Sequence, residues 1–131
     1  GTTIMTLDGE IPVEHLSVGD RVITRDSGMS VIKAISSRDV KMQPIRIKAG
    51  SLGHTRPDRD MIVAPGARIH IRDWRAEALF GAATATVEAS RLIDGEFLAR
   101  LPVRDIKVFD LMFDREHILY ADGVEIVSAA V

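Results

Sequence analysis

The chain has 131 residues, 46% hydrophobic and 27% charged, with a formal net charge of −2 and no cysteine. That is enough for one domain with a sizeable core, and it excludes disulfides, cysteine-ligated zinc and a thiol nucleophile within these residues. Cations and anions are mixed along the chain, aromatic residues make up only 5%, and no apolar run approaches the roughly 20 residues that cross a bilayer, so neither a nucleic-acid nor a membrane partner is expected. The opening Gly1-Thr2-Thr3-Ile4 lacks an initiating Met and reads like an excised piece of a longer protein.

In chain order, turn signals come at short intervals. Asp8-Gly9, Asp94-Gly95 and Asp122-Gly123 are dipeptides that supply positive φ for tight hairpins. Val18-Gly19-Asp20 and Ser27-Gly28 mark two more turns. A short helical turn is expected in Val13-Glu14-His15-Leu16. Val31 to Ile35 reads as one strand buried on both faces for most of its length, and Ile45, Ile47 and Ala49 alternate with Arg46 and Lys48.

Gly50 to Asp60 is polar, carries Gly and Pro, and reads as a loop. Met61-Ile62-Val63-Ala64 and Arg68-Ile69-His70-Ile71 are two strands around a Pro65-Gly66 turn, with Ile69 and Ile71 on one face and Arg68, His70 and Arg72 on the other. Asp73 is placed to cap a short helix from Trp74 to Phe80, closed by Gly81. The run from His117 to Val127 around Asp122-Gly123 is the strongest hairpin in the sequence. The fold class is therefore all-β, built from short antiparallel strands and hairpins with one or two helical turns, in a single domain over residues 1–131.

Candidate chemistry is sparse. His15, His54, His70 and His117 are scattered, without an HxH or HExxH pattern. His54 with Asp58 and Asp60 is the least implausible metal cluster, but Arg56 and Arg59 oppose a cation there, so neither metal nor cofactor is expected. The Arg68, His70, Arg72 stripe could hold a carboxylate or phosphate; a solvent-facing strand with acidic partners such as Asp73 and Glu77 is the favoured reading. Asp114, His117 and Asp122 supply the carboxylate–imidazole half of a hydrolytic triad. No GxSxG elbow supplies the nucleophile, and nothing singles out Thr2, Thr3, Thr6 or Ser128 for that role.

The stretch GTTIMTLDGEIPVEHLSVGDRVITRD, Gly1 to Asp26, resembles the Hint family of Hedgehog/intein autoprocessing domains, and its bacterial branch most closely. The likeness continues in Gln43 to Gly53, Met61 to Pro65, Glu77 to Gly81 and Val108 to Asp114, so it covers nearly the whole chain. It implies a compact, horseshoe-like β fold that brings distant segments to one centre. It also implies an intramolecular acyl shift, in which a Cys or Ser at the start of the domain attacks the preceding carbonyl. The partners of that reaction are flanking segments of the same polypeptide. Such relatives are often exported, which points to secretion without fixing a compartment.

The chain departs from the family pattern where the chemistry should lie. The family's nucleophile falls a few residues before Gly1, and Thr2 and Thr3 are in the wrong register to replace it. The Ser/Thr and His of the family's Ser/Thr-x-x-His motif fall on Ala64 and Ala67, in APGA where the family reads SPxH. A methyl group neither donates a hydrogen bond nor carries a proton. The family's C-terminal histidine aligns with His117, which is retained, while its terminal His-Asn pair falls near Val127 and Ser128. The resemblance therefore implies a degenerate self-processing domain. Two alternatives stay open: an active element that has lost its N-terminal Cys, and a binding module that uses the old cleft. A conventional hydrolase ranks below these and requires a hydroxyl within reach of His117.

Overall fold

The computed structural model describes residues 2–53, 56–72 and 74–130; His54 and Asp73 lie outside the described residues. Turn-forming residues cut the first part of the chain into two hairpins. β1 (Thr3–Thr6) pairs with β2 (Gly9–Pro12), and β3 (Arg21–Thr24) with β4 (Gly28–Val31). Between the hairpins lies a 3-10 turn over Val13–His15, where the sequence places one. Gly9 and Gly28 both have positive φ, which glycine adopts without steric cost.

The chain then changes sheets. Val31 to Ile35 is not one strand: β4 ends at Val31, and β5 (Ala34–Met42) starts a separate sheet. Ile32 and Lys33 form the crossover, with the Ile32 N–H on the Asp20 carbonyl at 3.0 Å and the Lys33 N–H on the Met112 carbonyl at 2.8 Å. Alternating apolar residues signal extended backbone, and extended backbone also serves a crossover.

β6 (Ile45–Ile47) buries both isoleucines and pairs with β7 (Met61–Val63) across the loop of residues 48–60. β8 (Arg68–Ile71) belongs to the large sheet instead, so the two strands around Pro65-Gly66 are not a hairpin but a bridge between sheets. The helix α1 (Trp74–Phe80) follows, ended by Gly81 at φ 69° with its N–H on the Glu77 carbonyl at 2.9 Å.

β9 (Ala85–Glu88), a 3-10 turn over Ala89–Leu92 and β10 (Leu98–Arg100) come next. Asp94-Gly95 does not close a hairpin there. The Asp94 carboxylate accepts the N–H groups of Glu96, Phe97 and Leu98 at 2.9, 2.8 and 3.0 Å and launches β10 onto β6. β11 (Arg104–Phe113) pairs along its length with β5. β12 (Ile118–Ala121) and β13 (Val124–Val127) form the last hairpin, whose Asp122 and Gly123 both have positive φ, at 48° and 85°. β14 (Ala129–Ala130) runs parallel to the end of β11, and the other pairings are antiparallel.

One apolar core joins the three sheets. Val22 comes from the large sheet, Ile45 and Ile47 from the small one and Phe113 from the β5–β11 ribbon, and all are fully buried. Phe113 also meets the edge of the His117 ring at a centroid distance of 5.7 Å. Phe113→Ala should therefore lower unfolding free energy by about 3–5 kcal/mol, measured by urea denaturation. A loss below about 1 kcal/mol would mean that the ribbon is not sealed by this core.

Candidate functional site

The Pro65-Gly66 turn is held firmly. The Ala67 N–H donates to the Ala64 carbonyl at 3.0 Å and closes the turn. From the 3-10 turn that follows β9, the Ala89 N–H donates to the Ala67 carbonyl at 2.8 Å and the Ser90 N–H to the Pro65 carbonyl at 3.1 Å. Ala64 and Ala67 line a cleft of about 890 Å³, together with Thr2, Val127 and Ser128. The positions that the family resemblance singles out thus gather in one place, apart from His117. Ala64 and Ala67 contribute two methyl groups to the cleft wall.

His117 is not among the residues lining that cleft; it is 3% exposed and locked elsewhere. Its Nδ1 lies 3.0 Å from Asp26 Oδ2, and its Nε2 lies 3.2 Å from Asp114 Oδ1 and 3.1 Å from Ser30 Oγ. A hydroxyl is therefore within reach of the ring. Asp26 orients the ring through Nδ1, while Asp114 Oδ1 and Ser30 Oγ share Nε2, whose role as donor or acceptor is set by the tautomer. The cluster ties the start of the last hairpin to the β3–β4 turn. Asp26 Oδ1 accepts the Ile118 N–H at 3.0 Å, and the His117 N–H donates to Ser128 Oγ at 2.9 Å.

Of the triad candidates, Asp114 does meet His117, but Asp122 does not. Asp122 is 2% exposed and faces the other side of the hairpin, where Oδ1 accepts the Thr3 N–H at 3.1 Å and the Thr3 hydroxyl at 2.8 Å. Thr3 is thus committed to structure, and so is Thr6, whose hydroxyl donates to the Gly9 carbonyl at 2.8 Å. His15 is exposed on the first 3-10 turn. Among the described residues, no three His, Asp or Glu side chains converge as a metal site.

Among the described residues, the basic stripe has partners that are distant in sequence. Arg68 donates to Glu116 Oε1 at 2.8 Å and to the Ser128 carbonyl at 3.1 Å, and His70 Nδ1 lies 3.2 Å from Thr86 Oγ1. Arg72 Nε bridges both oxygens of Glu125 at 2.8 and 2.9 Å, and Arg25 Nε meets the same carboxylate at 2.8 Å. Glu125 is 2% exposed, so two guanidinium groups offset its burial. These acids are distant in sequence, and periodicity carries no signal for them.

Sequence reasoning also passed over Asp110, which lines the cleft from β11, and Asp26, the His117 partner. Both lie inside stretches that carry the family resemblance.

These observations define the class: a β domain in which the N-terminal strand, an inter-sheet turn and the last hairpin converge on one cleft. Residues 1–130 match the Hint domain family, and the chain belongs to it. The solution structure of a bacterial intein-like domain from Clostridium thermocellum superposes with a TM-score of 0.63 at 16% identity, covering 98% of this chain and 94% of that one. The crystal structure of the gp41-1 intein gives 0.57 at 13% identity, with 98% and 93% covered. That of the MchDnaB-1 intein gives 0.59 at 12%, with 95% of each chain covered. At these identities the likeness is one of fold. No curated protein matches the chain in sequence. The chain is thus a Hint, intein-like domain, related to protein splicing and autoprocessing.

Burial alone would raise the Asp26 carboxyl, but the Ile118 N–H and the His117 ring outweigh it and hold the group below its usual 3.8. Asp114 is lowered chiefly by its hydrogen bond to His117. A carboxyl depressed in the folded state stabilises the fold fully above its unfolded value, and that contribution is lost as pH falls through the folded one. Thermal midpoints should therefore drop as pH falls below about 4, and Asp26→Asn should make that drop shallower. An equally steep acid limb in the variant would rule Asp26 out as a source.

Proposed function

We propose that this domain is a Hint fold retained without its self-processing reaction. The single observation that supports this is the pair of methyl groups, Ala64 and Ala67, on the cleft wall where the family motif carries Ser/Thr and His. An acyl shift at an amide needs a donor for the tetrahedral oxyanion and a proton for the leaving nitrogen. Losing one preorganised donor costs on the order of 2.7–4 kcal/mol, or about 100- to 1,000-fold in rate. Losing the acid/base group costs about 100- to 10,000-fold more. Thr3, Ser128 and Arg68 are held in structural hydrogen bonds, and His117 is sequestered between two carboxylates.

In this reading the domain occupies residues 1–131 as one unit of a longer polypeptide, and its flanking segments are what a competent relative would cut or join. The intact turn geometry makes the reading testable by restoration. With a Cys placed upstream of Gly1 behind a reporter, Ala64→Ser plus Ala67→His should raise thiol-dependent reporter release by at least about 100-fold over the same fusion carrying only the Cys. Release equally fast from both fusions would show that the two alanines are not what stops the reaction.

A further inference from the structure

The β5–β11 ribbon leaves a strand edge open inside the cleft. β5 covers one edge of β11, and β14 covers the other only at Met112 and Phe113. Among the described residues, no strand pairs with that second edge from Arg104 to Leu111. The cleft is lined by every residue from 106 to 111. Alternate side chains of a strand point to opposite faces, so a cavity that touches each successive residue reaches the strand along its edge. Unpaired N–H and C=O groups on such an edge are a template for another strand.

Charge and apolar surface vary along this edge. Arg104 and Lys107 on β11 and Arg38 on β5 line the cleft and are exposed. No salt bridge or hydrogen bond ties their charged groups to a described residue. Arg38 lies opposite Val108, so it shares a ribbon face with Arg104, while Lys107 takes the other face. At the Arg104 end an added strand would thus meet Arg104 and Arg38 on one face and, on the other, Lys107 beside Asp105 and Asp39. Towards Leu111 the edge is bordered by Val108 and Phe109. Asp110 stands in that half, against any second negative charge, and Ile62, 41% exposed, lines the same cleft.

We propose that the open edge of β11 docks an extended peptide that carries adjacent acidic residues at one end and aliphatic residues at the other. Main-chain pairing supplies the binding, and the charge gradient fixes direction. The proposal concerns binding alone and holds whether or not the cleft can cut a peptide bond, so the release assay above leaves it untouched.

The probe is a capped, fluorescein-labelled octapeptide of two glutamates followed by alternating valine and threonine, titrated by anisotropy beside its reverse-order and central-proline counterparts. One of the two sequence orders should bind saturably. The proline peptide should bind about tenfold more weakly, because it breaks the ladder without changing the charge. Arg104→Glu combined with Lys107→Glu should also weaken binding about tenfold or more. Both positions are exposed, and circular dichroism checks that the variant folds. On the unsubstituted protein, amide NMR shifts on adding peptide should be largest within 104–111. No saturable binding of either order, equal binding of the proline peptide, or shifts centred elsewhere would each overturn the proposal. Equally tight binding of duplex DNA would overturn it by making the patch a general polyanion site. Self-association of the free protein through this edge would overturn it by making a second copy the occupant.

Discussion

The buried carboxylate of Asp122 is the interaction on which the cleft depends. Through Oδ1 it receives the Thr3 N–H and hydroxyl, with Arg59 Nη2 at 3.4 Å. Its own N–H donates to the Thr3 carbonyl at 2.9 Å, and its carbonyl accepts the Asp58 N–H at 3.1 Å. One residue therefore binds the N-terminal strand, the loop before β7 and the last hairpin. Asp122 holds a left-handed φ of 48°, which costs a non-glycine residue little when it is Asp or Asn in a hairpin turn. The result is that Thr2 enters the same cleft that Ala64 and Ala67 line.

Two further buried polar nodes fix the remaining walls. Glu125 draws Arg25 of the β3–β4 turn and Arg72 at the end of β8 onto β13. His117 and Ser128 exchange main-chain and side-chain hydrogen bonds at the open end of the last hairpin, and Asp26 and Asp114 hold the imidazole. Buried charges that lose a partner are expensive, so each node constrains the segments around it. A domain can keep all of these contacts while losing a hydroxyl and an imidazole from one turn, because neither missing group belongs to a node. In the function proposed above, the requirements of folding and those of chemistry rest on different residues.

Local pattern made much of the fold legible. The positive-φ demand at Asp122-Gly123, the helix Trp74–Phe80 with Gly81 behind it and the alternation of Ile45 with Ile47 all correspond to elements at those positions. Assignment of strands to sheets was not legible. Val31–Ile35 and Met61–Ile71 both read as continuous local units, yet each crosses between sheets. Periodicity records which residues are extended and which face is apolar; it does not say which partner lies alongside. The same limit hid Glu116 and Glu125 as partners of Arg68 and Arg72, and Asp26 as the partner of His117. Ala64 and Ala67 carry no chemical signal of their own. They stand out only against the pattern of a family, and the fold then places both on the cleft.

The central claim, that the cleft is kept without its reaction, is tested most directly by the chain with unaltered Ala64 and Ala67, its natural upstream residues and an N-terminal reporter. Intact mass would be followed over days in hydroxylamine, which traps any ester or thioester formed at the junction. The account predicts a single unchanged mass throughout. Steady appearance of the freed domain together with the reporter hydroxamate would contradict it.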